Sequence, residues 1–300
     1  MEAIRAAVQR DLAGRGLDRD PQANLFAYCA GDFAAACRGL ASHPSAELAV
    51  VTGFWIASAG RFETDGPPGA AFLARVLGRL GIRVRIYTDA GAVDILRAGC
   101  PEATIGEIPA SLPGGVTHLL ALERVGPGHT LQSLRDPADI EAFAAEVPAQ
   151  DRGRCRSMRG IDITEKTTPS EHLFGPARDY TTIGVGDGGN EIGMGKVPWA
   201  MIRRAVPRGG LIACRVPVDH LLVAGVSNWG AYALAAGVAV LRGARLGEMF
   251  DPNREEATLR IMVEAGLVDG VSGERAATVD GLPFAVHADV LKRLGAIVGG

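Results

Sequence analysis

The 300-residue sequence lacks several features that mark particular classes of protein. Its five cysteines are an odd number without C-x-x-C spacing, so neither a disulfide framework nor a zinc ribbon is predicted. No run approaches the roughly 18 uninterrupted apolar residues of a membrane span, and the charged N-terminus lacks the apolar core of a signal peptide. The formal net charge of −3 offers no general attraction for nucleic acid or anionic membrane. We therefore expect a reducing, cytoplasmic location without nucleic-acid or membrane partners; a homo-oligomer is left open.

Glycine, in contrast, is abundant, with 40 residues scattered without period between apolar runs. Such a distribution indicates many turns and not a collagen-like or low-complexity chain. Apolar strand patterns alternate with helical ones, which predicts an α/β fold: a mostly parallel sheet of at least five strands with helices on both faces. The predicted strands cover residues 46–51, 82–87, 117–122, 180–183 and 211–216. We expect one domain over 1–300, with a helical leader at about 1–45 and an irregular insertion at about 125–178.

The most unusual stretch is Gly184–Gly195, in which six of twelve residues are glycine. It follows the β-branched segment 180–183 and precedes a predicted helix over 194–206, so it forms a strand, glycine loop and helix unit. Glycines at Gly186, Gly188 and Gly189 would let backbone N–H groups approach a ligand closely, and a helix start adds partial positive charge. The spacing also matches the dinucleotide fingerprint G-x-G-x-x-G.

Two carboxylates inside this loop argue against a phosphate ligand. Asp187 and Glu191 would repel a phosphate in a poorly hydrated site. An amino acid suits the loop better, because its ammonium would meet the carboxylates and its carboxylate the N–H groups. A divalent cation could instead be held by Asp187 and Glu191, with the carbonyl of Asn190 as a further donor. A structural turn in which Asp187 and Asn190 cap backbone N–H groups is the alternative.

Polar residues follow the predicted strand ends throughout the chain, where ligands bind in open α/β sheets. They are Thr52, Glu63, Asp65, Asp89, Glu123, Arg124, Asp187, Asn190, Glu191 and Asp219. We expect Glu63, Asp65, Asp187 and Glu191 to line one cleft and to act as catalytic residues. The predicted substrate-binding residues are Thr52, Gly53, Arg159, Gly186, Gly188, Gly189, Asn190 and Asn228, with Arg159 gripping a substrate carboxylate.

Four motifs together resemble the D-glutamate cyclase family. They are the glycine loop, Glu63-Thr64-Asp65-Gly66-Pro67-Pro68-Gly69, Ser157-Met158-Arg159-Gly160-Ile161-Asp162-Ile163 and Thr278-Val279-Asp280-Gly281-Leu282-Pro283. They occur in the family's order and span roughly residues 50–290. The resemblance implies a hydro-lyase reaction that converts D-glutamate to 5-oxo-D-proline and water. Ser157 departs from the family pattern, which often has asparagine there.

Ring closure requires the substrate ammonium to lose a proton and its γ-carboxylate to be neutralised. No G-x-x-x-x-G-K-[ST] motif is present for activation by ATP. Activation would then use a protonated acid or a metal, and no cofactor is certain, with Mn²⁺ or Mg²⁺ as the candidates. Two other functions stay open: a nucleotide- or phosphosugar-binding transferase, with Asp219 as the ribose-binding acid, and a non-catalytic amino-acid sensor.

Overall fold

Six parallel strands form the central sheet of the computed structural model, which describes residues 1–300. They are β1 (Glu47–Thr52), β4 (Arg83–Thr88), β5 (Thr104–Glu107), β6 (His118–Leu122), β7 (Thr181–Gly186) and β8 (His220–Val223). Two short antiparallel hairpins are formed by β2 (Trp55–Ile56) with β3 (Arg61–Phe62), and by β9 (Thr278–Val279) with β10 (Leu282–Pro283).

The strand order in the sheet is β5-β4-β1-β6-β7-β8. The chain therefore starts in the middle at β1, runs outwards to β5, returns to pair β6 against the other side of β1, and continues to β8. The direction of winding reverses between β1 and β6. In open α/β sheets, ligands bind in the crevice at the carboxyl ends of the strands beside such a reversal.

Helices cover both faces of this sheet. Eleven α-helices are present: α1 (Glu2–Val8), α2 (Leu25–Tyr28), α3 (Asp32–Ser42), α4 (Pro67–Arg79), α5 (Val93–Gly99), α6 (Pro137–Glu146), α7 (Trp199–Ala205), α8 (Gly209–Ile212), α9 (Ser227–Leu241), α10 (Pro252–Ala265) and α11 (Phe284–Gly299). Along β1, Leu48 and Val50 join the apolar cluster that includes α4 and α9, whereas Ala49 and Val51 join the cluster that includes α7 and α8. This alternation confirms the predicted α/β fold, with six strands and a core on each side.

The predicted strand over 211–216 is wrong. Residues Gly209–Ile212 form helix α8, and the sixth strand is β8 at His220–Val223. The apolar character of 211–216 comes from burial against the glycine loop and not from pairing in the sheet: the Cys214 N–H donates to the Gly189 carbonyl at 2.9 Å, and the Val216 carbonyl accepts from Gly193 at 2.9 Å. Asp219 consequently lies at the start of β8.

The edge strand β5 is absent from the sequence prediction, because Thr104–Glu107 is short and only partly apolar. The helix after the glycine loop begins at Trp199, not at residue 194. Residues 191–194 instead form backbone bridges with Val125 and Pro217, and Pro198 stands immediately before the helix.

The division into one domain with a leader and an insertion stays a prediction. No helix is both long enough and apolar enough to cross a bilayer.

Helix α9 is the buried helix against which α4 packs. Thirteen of its residues, from Ser227 to Ala239, are buried, and it packs against α4 where glycine and alanine allow close approach. A Cβ at Gly69 would lie 2.8 Å from Asn228 Oδ1 and 3.0 Å from the Ala231 side chain. The small residues therefore set the distance between the two helices, and both helix N-termini open towards the carboxyl ends of the strands.

We expect His118 to make stability depend on pH. Its side chain is buried at the start of β6, and burial, with the neighbouring His43 and His220, lowers its pKa to about 4. A histidine held neutral in the folded state stabilises fully above pH ~6.5, and that contribution is lost as the pH falls towards 4. Between pH 7 and 5, His118→Asn should therefore lose less unfolding free energy than the unsubstituted protein, by on the order of 1 kcal/mol.

Urea unfolding at both pH values measures this difference. Comparing variant with wild type removes the opposite pH dependence of buried carboxylates elsewhere in the molecule. An equal pH dependence in the two proteins would show that His118 is not held neutral by the fold.

Candidate functional site

The carboxyl ends of β1, β6 and β7 enclose a small cavity of about 170 Å³. Its polar lining consists of Arg15, Glu63, Glu123, Ser157, Arg159, Asp187 and Asp280, together with Ser58. Its apolar lining consists of Phe54, Ile56, Ala57, Met158, Ile161 and Val271. The loops after three neighbouring strands thus converge on one place, beside the reversal of winding between β1 and β6.

Three buried carboxylates meet at the floor of this cavity. Asp65, Glu123 and Asp187 each present an oxygen, and these oxygens lie within 4.8 Å of one another. Glu123 and Asp187 directly follow β6 and β7, whereas Asp65 follows the β2–β3 hairpin that comes after β1; none is more than 5% exposed. The parallel sheet is the reason for the meeting, since adjacent parallel strands end at the same edge.

Asp65 is fixed by the beginning of α9. Its two oxygens accept from the Ser227 N–H at 2.8 Å and the Asn228 N–H at 2.7 Å, where the free N–H groups of a helix favour an anion. The Asn228 side chain binds in the opposite direction, to the start of α4: its Oδ1 accepts from the N–H groups of Gly66 and Gly69 at 3.0 and 2.8 Å. The two helix starts are therefore locked together through one carboxylate and one amide.

Glu123 is held in an uncommon backbone conformation. Its φ is 44°, in the left-handed region, which costs a non-glycine residue on the order of 1–3 kcal/mol. The adjacent Arg124 is fully buried, pairs with Asp89 and donates to the Gly53 carbonyl at 2.9 Å. One oxygen of Glu123 accepts from the Ser227 hydroxyl at 2.6 Å, and the side chain lines the cavity.

The glycine loop places Asp187 at the cavity and turns Glu191 away from it. The Glu191 carboxylate accepts from the Asp187 N–H at 3.1 Å and from the Gly189 N–H at 2.7 Å. A Cβ at Gly186 or Gly188 would lie within 3.0 Å of the Glu191 side chain, so these glycines make room for a carboxylate of the protein itself. Glu191 fills the space that a bound anion would otherwise take.

The positive charge of the site comes from Arg15 in the N-terminal leader. Its guanidinium pairs with Asp187 at 2.6 Å and with Asp280 at 2.7 Å. Asp11 holds the turn that carries it, since its carboxylate accepts from the N–H groups of Arg15, Gly16 and Leu17. Arg15 therefore joins the leader, the glycine loop and the turn after β9.

Two further side chains complete the cavity. Glu63 is buried, yet its carboxylate accepts no hydrogen bond from the protein and faces the cavity beside Gly270. Arg159 lies at the mouth and donates to the Val271 carbonyl at 2.6 Å, which leaves other guanidinium N–H groups for a ligand.

Comparison with known proteins shows the family to which the chain belongs. The family model described as D-glutamate cyclase-like, C-terminal, matches residues 4–295. The chain belongs to this family. Human mitochondrial D-glutamate cyclase is 33% identical in an alignment of 263 positions that covers 77% of this chain and 42% of the human protein. The chain thus corresponds to less than half the length of that relative.

This member of the cyclase-like family has carboxyl groups that retain protons more strongly than usual. Burial, with nearby Asp280 and Asp65, raises the pKa of Glu63 well above its ordinary value. Burial, with Glu191 and Asp65, does the same to the pKa of Glu123. Burial raises the pKa of Asp187 although Arg15 opposes the change, and burial raises that of Asp65 to about 8 against the N–H groups that bind it. Protonated acids and carboxylates can thus coexist near neutral pH.

The structure brings together part of the predicted site. Glu63, Asp187 and Arg159 line the cavity, and Asp65 lies at its floor. Glu191 and Asn228 lie just behind it, bound to backbone groups, and the Asn190 amide donates to the Arg156 carbonyl at 2.7 Å. Thr52 Oγ1 lies close to Gly66, the neighbour of Asp65, and the Gly53 carbonyl accepts from Arg124, the neighbour of Glu123. The catalytic and binding roles of all these residues stay predictions.

Sequence reasoning missed Arg15, Asp280 and the importance of Glu123. Glu123 was visible as a polar residue after a strand, and Asp280 lies within a family motif. Nothing in the sequence marks Arg15, because its partners are 172 or more positions away.

We expect Glu191 to support the fold of the loop and Asp187 to act in the cavity. Glu191→Gln keeps one acceptor but leaves a buried N–H unpaired, so the free energy of unfolding should fall by about 1–3 kcal/mol. Asp187→Asn removes one of several crowded negative charges and should change stability less. Urea unfolding of both variants tests the distinction, and an Asp187→Asn protein as unstable as Glu191→Gln would contradict it.

Proposed function

We propose that this chain is a hydro-lyase that interconverts D-glutamate with 5-oxo-D-proline and water. The observation that carries the proposal is a small cavity in which several buried carboxyl groups face two arginines. Family membership and the name of the human relative support the same reaction. The proposal makes the protein an enzyme of D-amino acid metabolism that acts on an amino acid or its lactam.

Recognition of glutamate requires opposite charges at its two ends. Glu63 offers an unpaired carboxylate for the substrate ammonium, and Arg159 offers N–H groups for a substrate carboxylate. The apolar wall of Phe54, Ile56 and Met158 suits the methylene groups between them. The five-membered lactam keeps one carboxylate and the methylene groups, and a neutral ring N–H takes the place of the ammonium.

The chemistry needs two proton transfers. The amine nitrogen attacks the γ-carboxyl carbon, a C–N bond forms, and the C–O bond to the leaving oxygen breaks. The ammonium gives up two protons, and both end in the water that departs. A carboxylate must therefore accept protons at nitrogen while a protonated acid delivers them at oxygen. We assign proton transfer to Glu63, because its carboxyl group has a raised pKa and no protein partner.

Three features argue against the nucleotide or phosphosugar alternative. A cavity of about 170 Å³ is below the ~300–1,000 Å³ of sites for drug-sized ligands. Asp219, the candidate ribose ligand, precedes β8 and so lies at the opposite edge of the sheet, where both its oxygens accept from Arg178. The Glu191 carboxylate also occupies the N–H groups that would bind a phosphate.

The direct test is incubation of the purified protein with D- and L-glutamate and with 5-oxo-D- and 5-oxo-L-proline, with and without Mn²⁺ or Mg²⁺. We expect interconversion of the D pair, measured by chiral chromatography. Binding of D-glutamate by calorimetry without turnover would favour the amino-acid sensor. Micromolar binding of NAD or ATP with none of glutamate would favour the nucleotide enzyme.

We expect Glu63→Gln to lower turnover by about two or more powers of ten, the usual scale of general acid–base assistance. The substitution keeps the size of the side chain and removes its ability to exchange a proton. Ser58→Ala is the matched control, because Ser58 lines the same cavity and is exposed without a carboxyl group. Full activity in Glu63→Gln would move the proton-transfer role to another carboxyl group.

A further inference from the structure

The charges around the cavity do not balance. Five carboxyl groups are buried there, from Glu63, Asp65, Glu123, Asp187 and Asp280, and no one of them is more than 5% exposed. Arg15 is the one cationic side chain that forms ion pairs with any of them. Buried carboxylates are normally paired, protonated or bound to metal.

The three carboxylates at the floor have the geometry of a cation site. One oxygen from each of Asp65, Glu123 and Asp187 lies within 4.8 Å of the others. Arg15 contacts Asp187 but makes no ion pair with Asp65 or Glu123. One oxygen of Glu123 and one of Asp187 accept no hydrogen bond from the protein. These oxygens are free to bind a cation.

Two buried oxygens of residues near the trio have no hydrogen-bond partner. Thr52 Oγ1 is fully buried without a hydrogen-bond partner. A Cβ at Gly66 would collide with it and lie 3.0 Å from Glu123 Cβ, so the hydroxyl lies between the Asp65 turn and Glu123. Asp280 Oδ2 is also buried without a partner, on a residue that lines the cavity with Glu123 and Asp187. Unpaired buried oxygens of this kind are costly unless something binds them.

We propose that Asp65, Glu123 and Asp187 bind one divalent cation, with the Thr52 hydroxyl as a neutral oxygen donor. All four donors are oxygen atoms, which selects a hard ion such as Mg²⁺ or Mn²⁺ over zinc or copper. This ligand set replaces the pair expected from the sequence, since Glu191 binds backbone N–H groups instead. The site lies within the proposed cyclase centre, where the cation would withdraw electrons from the γ-carboxyl group.

Binding of Mn²⁺ alone to the full chain tests this inference. Titration with MnCl₂, followed by electron paramagnetic resonance of free Mn²⁺, should show one site per chain, with Mg²⁺ as a competitor. Glu123→Gln and Asp187→Asn should each weaken binding at least tenfold. Glu63→Gln is the matched control: it removes a carboxylate from the same cavity outside the trio and should change affinity less than threefold.

Thermal unfolding supplies a second readout. Mn²⁺ should raise the unfolding temperature of the wild type and of Glu63→Gln, and leave that of Glu123→Gln unchanged. Without metal, Glu123→Gln should unfold no earlier than the wild type, because it relieves charge repulsion. No binding at millimolar Mn²⁺, or equal weakening by Glu63→Gln and Glu123→Gln, would overturn the site.

No glutamate is present in these measurements. A chain that binds Mn²⁺ through the trio but forms no 5-oxoproline would therefore retain the cation site and lose the proposed reaction. Cyclisation without any Mn²⁺ binding would give the reverse result.

Discussion

Burial of several carboxyl groups around one guanidinium is the constraint on which the rest of this structure depends. Charges of one sign resist being brought together out of water, and each must be compensated locally. The fold supplies compensation in distinct forms: the start of α9 for Asp65, the Ser227 hydroxyl for Glu123, and Arg15 for Asp187 and Asp280. Glu63 has no hydrogen bond or ion pair from the protein, which is why we give it the proton-transfer role.

The parallel sheet makes this crowding possible because it delivers three loops to one edge. In each loop a different feature of the backbone sets the orientation of the acidic side chain. Gly66 takes a positive φ of 95° after Asp65, Glu123 itself takes φ 44°, and the glycine loop folds around Glu191. Strained or glycine-dependent backbone at three separate strand ends indicates a region in which geometry has been selected at some cost in stability.

Much of the fold was predictable from the sequence, because strand and helix patterns depend on local periodicity. Four of the five predicted strands are present. The strand prediction was wrong where apolar residues are buried by contacts outside the sheet. Residues 211–216 are apolar because they lie against the glycine loop, so their hydrophobicity indicated a strand that does not exist.

The site was only partly predictable for the same physical reason. Asp65 and Asp187 stand directly after strands or glycine turns, and topology alone brings them together. A carboxylate that binds its own backbone cannot be told from one that faces a ligand by sequence position, and Glu191 is the example. Arg15 depends on a contact across most of the chain, which no local pattern records.

The contact of Arg15 with its two aspartates determines at which stage of folding the charges of the site can be paired. Arg15 and Asp280 are far apart in the sequence, and the Arg15 guanidinium pairs with both Asp280 and Asp187 of the glycine loop. Arg15 precedes Asp65, Glu123 and Asp187 in the sequence, and Asp280 follows them. The carboxyl groups of the three loops are therefore synthesised before Arg15 can pair with Asp280. Contacts of such long sequence separation form late in folding, because a large loop must be ordered first. The ion pairs of Arg15 are thus complete only once residues 15 and 280 have met, although most of the carboxyl groups of the cavity lie between these two positions.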